Sequence, residues 1–206
     1  MKINIITVFI LISQLSFGQK EKEISDETIK TLYKSLPKVD GKYEYSEIVQ
    51  LDSTYKKDLL YRNAKLFFVD VFKSAKDVLQ YDDRDEGKVI GKGNFEIEEM
   101  QRGFFNSVFD SWRVNFTLEL FSKDGRYRYR IYDFSIKEKR TIISGSGSPD
   151  YYSDFSIDDA YTQTQKGEIK KMNKKMFAEI VDKINSTISE IKTYMSKKQS
   201  SSNSDF

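Results

Sequence analysis

Between residues 112 and 120 the chain alternates without error. Trp112, Val114, Phe116, Leu118 and Leu120 are apolar, and Arg113, Asn115, Thr117 and Glu119 are polar. A period of two places the two sets on opposite faces of a β-strand. Lys123-Asp124-Gly125-Arg126 follows, and Asp-Gly supplies the positive φ that a two-residue hairpin loop requires. That loop fixes a register. Leu120 faces Tyr129 and Leu118 faces Ile131 on the core side, while Glu119 faces Arg130 on the water side. Carried one step further, the register sets Phe116 against Asp133. The apolar phase of the returning strand shifts after Ile131 to Tyr132, Phe134 and Ile136. One extra residue near Tyr132, a β-bulge, restores Phe116 to Phe134 and Val114 to Ile136.

The flanking segments supply the other elements. Tyr43, Tyr45, Val49 and Leu51 keep period two and predict a strand. Asp52-Ser53-Thr54 offers N-cap chemistry for a helix over 56–73, where Leu60, Ala64, Phe67, Phe68, Val71 and Phe72 form one face. A brief strand over 78–81 ends in the acidic run 82–87. The strand over 89–97 puts Val89, Gly91, Gly93, Phe95 and Ile97 on one face, its glycines leaving room for a helix or a neighbouring backbone. Residues 142–167, rich in Gly, Ser and Asp, predict a long irregular crossing. Ile169, Met172, Met176, Ile180, Ile184, Ile188, Ile191 and Met195 then draw one stripe down a helix of about 27 residues, ~40 Å long at ~1.5 Å per residue. A sheet with helices on one face buries all of these stripes, which makes the fold class α+β.

Several short motifs occur in a fixed order: Leu36-Pro37, 45–51, Leu59-Leu60-Tyr61-Arg62, 78–83, 87–93 and 123–128. Together they resemble an exported bacterial family, domain of unknown function 4468, described as having a TBP-like fold. The resemblance spans roughly 36–136. It implies a curved antiparallel sheet covered on one face by two helices, and it implies no activity.

The ends of the chain change the picture in one respect. Met1-Lys2-Ile3-Asn4, an apolar stretch over 5–15, and Ser16-Phe17-Gly18 read as a signal peptide over 1–18. The apolar stretch is too short for the ~20 residues of a membrane span. The expected organisation is a signal peptide at 1–18, an N-terminal arm at 19–36 that is either a short helix or a weakly docking segment, the α+β domain at 37–195 and a disordered tail at 196–206. The expected location is outside the cytoplasm, periplasmic or secreted. The chain has no Cys, hence no disulfides, and a formal net charge of +2 gives no electrostatic drive toward nucleic acid or acidic membranes.

Candidate chemistry is sparse. No His is present, which removes the usual general base near neutral pH, Ser-His-Asp catalysis and nearly all zinc and copper sites. The run 82–87 loosely echoes a calcium loop, but the twelfth position from Asp83 is Asn94 rather than Glu, so it reads as a solvated turn. Arg126, Arg128 and Arg130 form a basic ladder next to Tyr132, with Glu119 and Asp133 placed for ordinary cross-strand pairing. No catalytic, cofactor-binding or metal residues are expected. The expected function is an exported, non-enzymatic binding or scaffolding domain that meets an envelope protein or polymer. Its expected contact is through the sheet edge, the Tyr151-Tyr152 loop or the distal part of the last helix, with Arg126, Arg128, Arg130 and Tyr132 as further candidates for the surface. Two alternatives stand beside it: a carrier of a small apolar ligand between sheet and helices, and a hydrolase using paired carboxylates.

Overall fold

A computed structural model describes residues 24–72, 78–145, 147–157 and 171–198; the leader expected at 1–18 lies outside them. The elements run α1 (Asp26–Ser35), β1 (Lys38–Val39), β2 (Lys42–Tyr43), β3 (Tyr45–Gln50), α2 (Lys57–Phe72), β4 (Leu79–Asp83), β5 (Lys88–Arg102), β6 (Asn106–Lys123), β7 (Arg126–Ser144), β8 (Asp150–Phe155) and α3 (Lys171–Met195). Strands β3-β7-β6-β5-β4 form one antiparallel sheet in that order. β8 joins β7 on the same edge as β3, further along the strand.

The hairpin at Asp124-Gly125 forms with the expected register: Leu120 pairs with Tyr129, Leu118 with Ile131, and Val114 with Ile136. The ladder shifts between Asn115 and Thr117. Asp133 takes a positive φ of 55° there, which a short polar side chain tolerates. The extra residue returns Phe134 to the apolar face, with its ring 6.2 Å from that of Phe116.

α2 lies over the two glycines of β5. A methyl group on Gly91 would meet the Phe68 ring at 2.5 Å, and one on Gly93 would meet the rings of Phe116 and Phe72 at 2.6 and 2.7 Å. The N-terminus of α2 is capped from afar. Lys57 N–H donates to the Asp124 carboxylate at 2.8 Å, while Asp52 instead accepts from Thr54 N–H within its own turn. Sequence pattern places the cap at 52–54 because it sees only local neighbours.

α3 buries Met176, Phe177, Ile180, Ile184, Ile191 and Met195. Its distal part is therefore no free docking surface. Ile191 and Met195 are fully enclosed, and Tyr194 stacks edge-on against Phe67 at 5.5 Å. Nor does chain order stop with the helix: the carbonyls of Ser196 and Lys197 accept from the Tyr55 hydroxyl and the Asn63 amide, each at 2.8 Å. Residues 199–206 of the expected tail lie outside the described residues. α1 is the short helix read as one alternative for the N-terminal arm, and it packs on α3 through fully buried Ile29, a Tyr33–Phe177 ring contact and a Lys174–Asp26 ion pair.

The stretch 142–167, expected as irregular, is partly strand. β7 continues to Ser144 because β6 offers it a ladder as far as Asn106, and the Gly/Ser tract is confined to the turn before β8. Strand length then decides what the helices cover. β6 has 18 residues and spans ~60 Å at ~3.3 Å per residue. α3 has 25 and spans ~37 Å. Among the described residues the central strands are thus longer than the helix that roofs them.

A candidate interaction site at the polar end of the sheet

The bulge keeps the apolar phase of β7 on the helix side through Ile136, and the same phase continues as Glu138, Arg140 and Ile142. These three face Trp112, Asp110 and Val108 of β6. At this level the helix-side face becomes polar, and α3 reaches it through the Lys175–Glu99 ion pair beside Asp110. Arg140 Nε donates to Asp110 Oδ1 at 2.6 Å, and its Nη2 reaches Glu138 Oε1 at 3.4 Å. Glu138 also accepts from the indole Nε1 of Trp112 at 3.2 Å and from the Ser153 hydroxyl of β8 at 2.8 Å. The hydrogen bond to Asp110 raises the pKa of the Arg140 guanidinium, so this cation is permanent. Asp110 is fully buried, and its second oxygen has no hydrogen-bond partner among the described residues.

Above this network opens a shallow depression of about 330 Å³, lined by Glu138, Arg140, Ile142, Tyr151, Tyr152 and Ser153. Tyr151 and Tyr152 sit on β8 rather than in a loop, paired with Arg140 and Lys139, and are 54% and 73% exposed. The outer edge of β8 has no strand partner among the described residues. Its backbone donors and acceptors there are a template for a further strand.

The basic ladder lies elsewhere, near the Asp124-Gly125 hairpin on the face away from the helices. Arg130 makes a two-pronged contact with Glu44, both bonds 2.7 Å, and its guanidinium lies 4.8 Å from the Tyr132 ring centroid. That bond draws the Glu44 carboxyl below its ordinary range. Arg128 donates to Glu119 at 2.7 Å, and Arg126 is exposed at the turn. Glu119, expected on the water side, is 3% exposed, because Arg128, Arg130 and Lys88 close over it. Arg128, Arg130 and Tyr132 thus form one cluster around Glu44 and Glu119, separate from Tyr151 and Tyr152. The acidic run is also spent within the fold. Asp82 accepts from Tyr61 and Lys65, Arg84 pairs with Asp58, and Asp83 accepts from Glu86 N–H. No cluster of potential metal ligands occurs among the described residues.

Glu138, Arg140 and Ser153 escaped the sequence reading, although a signal exists. Asp110 lies in phase with Trp112, and Glu138 and Arg140 lie in phase with Ile136; charged residues continuing an apolar phase mark the place where a core opens.

A mostly antiparallel sheet roofed on one face by helices defines an α+β protein with a TBP-like fold. Residues 45–137 match the model of a domain of unknown function (DUF4468) with TBP-like fold, and the resemblance seen in the ordered motifs is real. The chain is also similar to a crystal structure of a DUF4468 family protein from Bacteroides ovatus ATCC 8483. That match has a TM-score of 0.53 and 16% identity, over 80% of this chain and 92% of that one. A TBP-like protein from Parabacteroides distasonis ATCC 8503 matches with a TM-score of 0.46 and 11% identity, over 76% of this chain and 97% of that one. No curated protein matches by sequence.

Proposed function

We propose that this chain is an exported, non-enzymatic binding domain that holds an extended segment of an envelope protein along the outer edge of β8. The observation that carries this reading is the pairing of an open strand edge with two exposed tyrosines beside a polar depression. An added strand gains main-chain hydrogen bonds, and a pocket beside the edge selects its side chains. Tyrosine suits such a contact because its large ring loses little side-chain freedom on binding. The hydrolase reading has less support. The depression does hold Glu138, with Asp110 beneath it, but one guanidinium holds both carboxylates, and Glu138 accepts two further bonds. The carrier reading also lacks support, since Phe67, Phe68, Phe72, Phe95 and Phe116 pack ring against ring between sheet and helices.

A photo-crosslinker at position 152, used in intact cells, tests the proposal. It should trap one predominant envelope protein, and Tyr151→Ser should reduce that adduct about tenfold or more. The absence of any adduct, or adducts unchanged by Tyr151→Ser, would overturn it. Export has its own check: N-terminal sequencing of the protein from the envelope fraction should begin at Gln19.

A further inference from the structure

Most turns of this molecule follow ordinary turn chemistry. Asp40-Gly41 joins β1 to β2, the acidic run closing on Gly87 joins β4 to β5, and Asp124-Gly125 joins β6 to β7. The β5–β6 turn does not. Its apex is Phe104-Phe105, 94% and 87% exposed. The two rings stand edge to face, 4.8 Å apart, and neither belongs to the core. The turn itself is well made: Gly103 N–H donates to the Asn106 carbonyl at 2.8 Å, and a methyl group on Gly103 would sit 2.7 Å from that same oxygen. A local rule broken with no internal gain points to a role outside the fold.

The surroundings favour one kind of partner. Residues 101–108 meet residues 141–149 at this end of the sheet through the pairs Asn106–Ser144 and Ser107–Ile143. Together the two stretches hold one charged side chain, Arg102, in a chain of which 32% of residues are charged. Arg102 makes no ion pair among the described residues. Met100 and Ile143, 50% and 42% exposed, flank the tip on the face away from the helices.

We propose that this end of the sheet is a membrane-contact tip, which places Phe104 and Phe105 in the interfacial layer of a phospholipid bilayer. Two exposed rings at the apex of a turn, crossed at 82°, suit a fluid that closes around them better than a flat protein surface. Insertion desolvates no carboxylate in this region, and the turn closes one of its backbone bonds internally, as an apolar medium demands. The lone cation, Arg102, is complementary to lipid phosphates. The attachment lies on the bilayer rather than across it. It also accords with the described residues, in which no helix is long and apolar enough to cross a membrane.

Flotation of the full chain with phosphatidylcholine vesicles, with and without phosphatidylglycerol, tests this against the Phe104→Ser/Phe105→Ser double variant. The paired comparison cancels any contribution of the N-terminal apolar stretch, and circular dichroism checks that the variant is folded. The wild type should partition about tenfold or more better than the double variant, and phosphatidylglycerol should change its binding by no more than about fivefold. In Phe104→Trp, lipids brominated near the headgroup should quench the added fluorescence, while buried Trp112 remains a constant background. Equal partitioning of wild type and double variant, or no quenching at position 104, would overturn the proposal. A tip that instead drives concentration-dependent self-association without binding vesicles would overturn it too.

Discussion

Gly91 shows what a single hydrogen atom is worth at a helix–sheet contact. A methyl group there would lie 2.5 Å from the fully buried Phe68 ring and 3.0 Å from the Val78 carbonyl, so neither neighbour can yield freely. Gly91→Ala should destabilise the protein by about 1–3 kcal/mol in urea denaturation without changing the far-UV spectrum. A loss below ~0.5 kcal/mol would mean that α2 rides higher on the sheet than described. The need for space at both glycines is legible from the sequence, because they share a face with Val89 and Ile97. Which rings fill the space is not, since Phe68 and Gly91 meet only through tertiary packing. Glu119 carries the complementary lesson. Alternation assigns it correctly to the face opposite Leu118 and Leu120, but a period of two reports a face and not a depth. Three long cations folding over a carboxylate leave no trace in that period.

At the scale of elements, the stripe of α3 is fully legible, and the error about its far end came from the strands. Strong alternation covers only residues 112–120, which suggests a sheet shorter than the helix. β5, β6 and β7 in fact have 15, 18 and 19 residues. Their outer halves carry mixed side chains over one another, and pairing between neighbours sustains them rather than amphipathic pattern. Here the strands outrun the helix, so the distal stripe of α3 is core. Ile191→Ala should therefore cost about 2–4 kcal/mol in denaturant melts. A partner-docking role for that end predicts almost no cost instead. The tyrosines of β8 were legible as exposed aromatics but not as a strand, because their pairing is with Arg140 and Lys139, more than ten residues before them.

The molecule as a whole should respond to pH from both sides. Among the described residues six carboxyls titrate below their ordinary values, Glu44, Glu47 and Asp82 being those with some burial. The Arg130 bond lowers Glu44. Burial would raise Glu47 and Asp82, but bonds from Lys192 and Tyr129 to the first, and from Lys65 and Tyr61 to the second, outweigh it. A depressed folded pKa contributes stability above the unfolded value and loses it as pH falls through the folded one. Melting temperature should thus fall below about pH 4.5, the ordinary value for Glu, and Glu44→Gln should flatten that decline. At the other extreme, burial pushes the hydroxyls of Tyr45, Tyr127 and Tyr129 well above the ordinary phenol value of 10.0. Their contribution is whole below pH 10 and is lost above it. Phenolate absorbance should show these three of 13 tyrosines ionising only as the chain unfolds.

The kink at Asp133 acts on this sheet as a reading frame acts on a message. Everything in β7 beyond it owes its side to that bulge. A regular ladder that ran through Asp133 without the bulge would turn Glu138, Arg140 and Ile142 inside out, carrying the floor of the depression to the far face, whereas deleting Asp133 itself would leave an unbroken alternation that keeps all three in place. Relatives sharing this arm can lose the bulge together with its extra residue, but a one-residue change elsewhere in β7 needs a matching change on its neighbour.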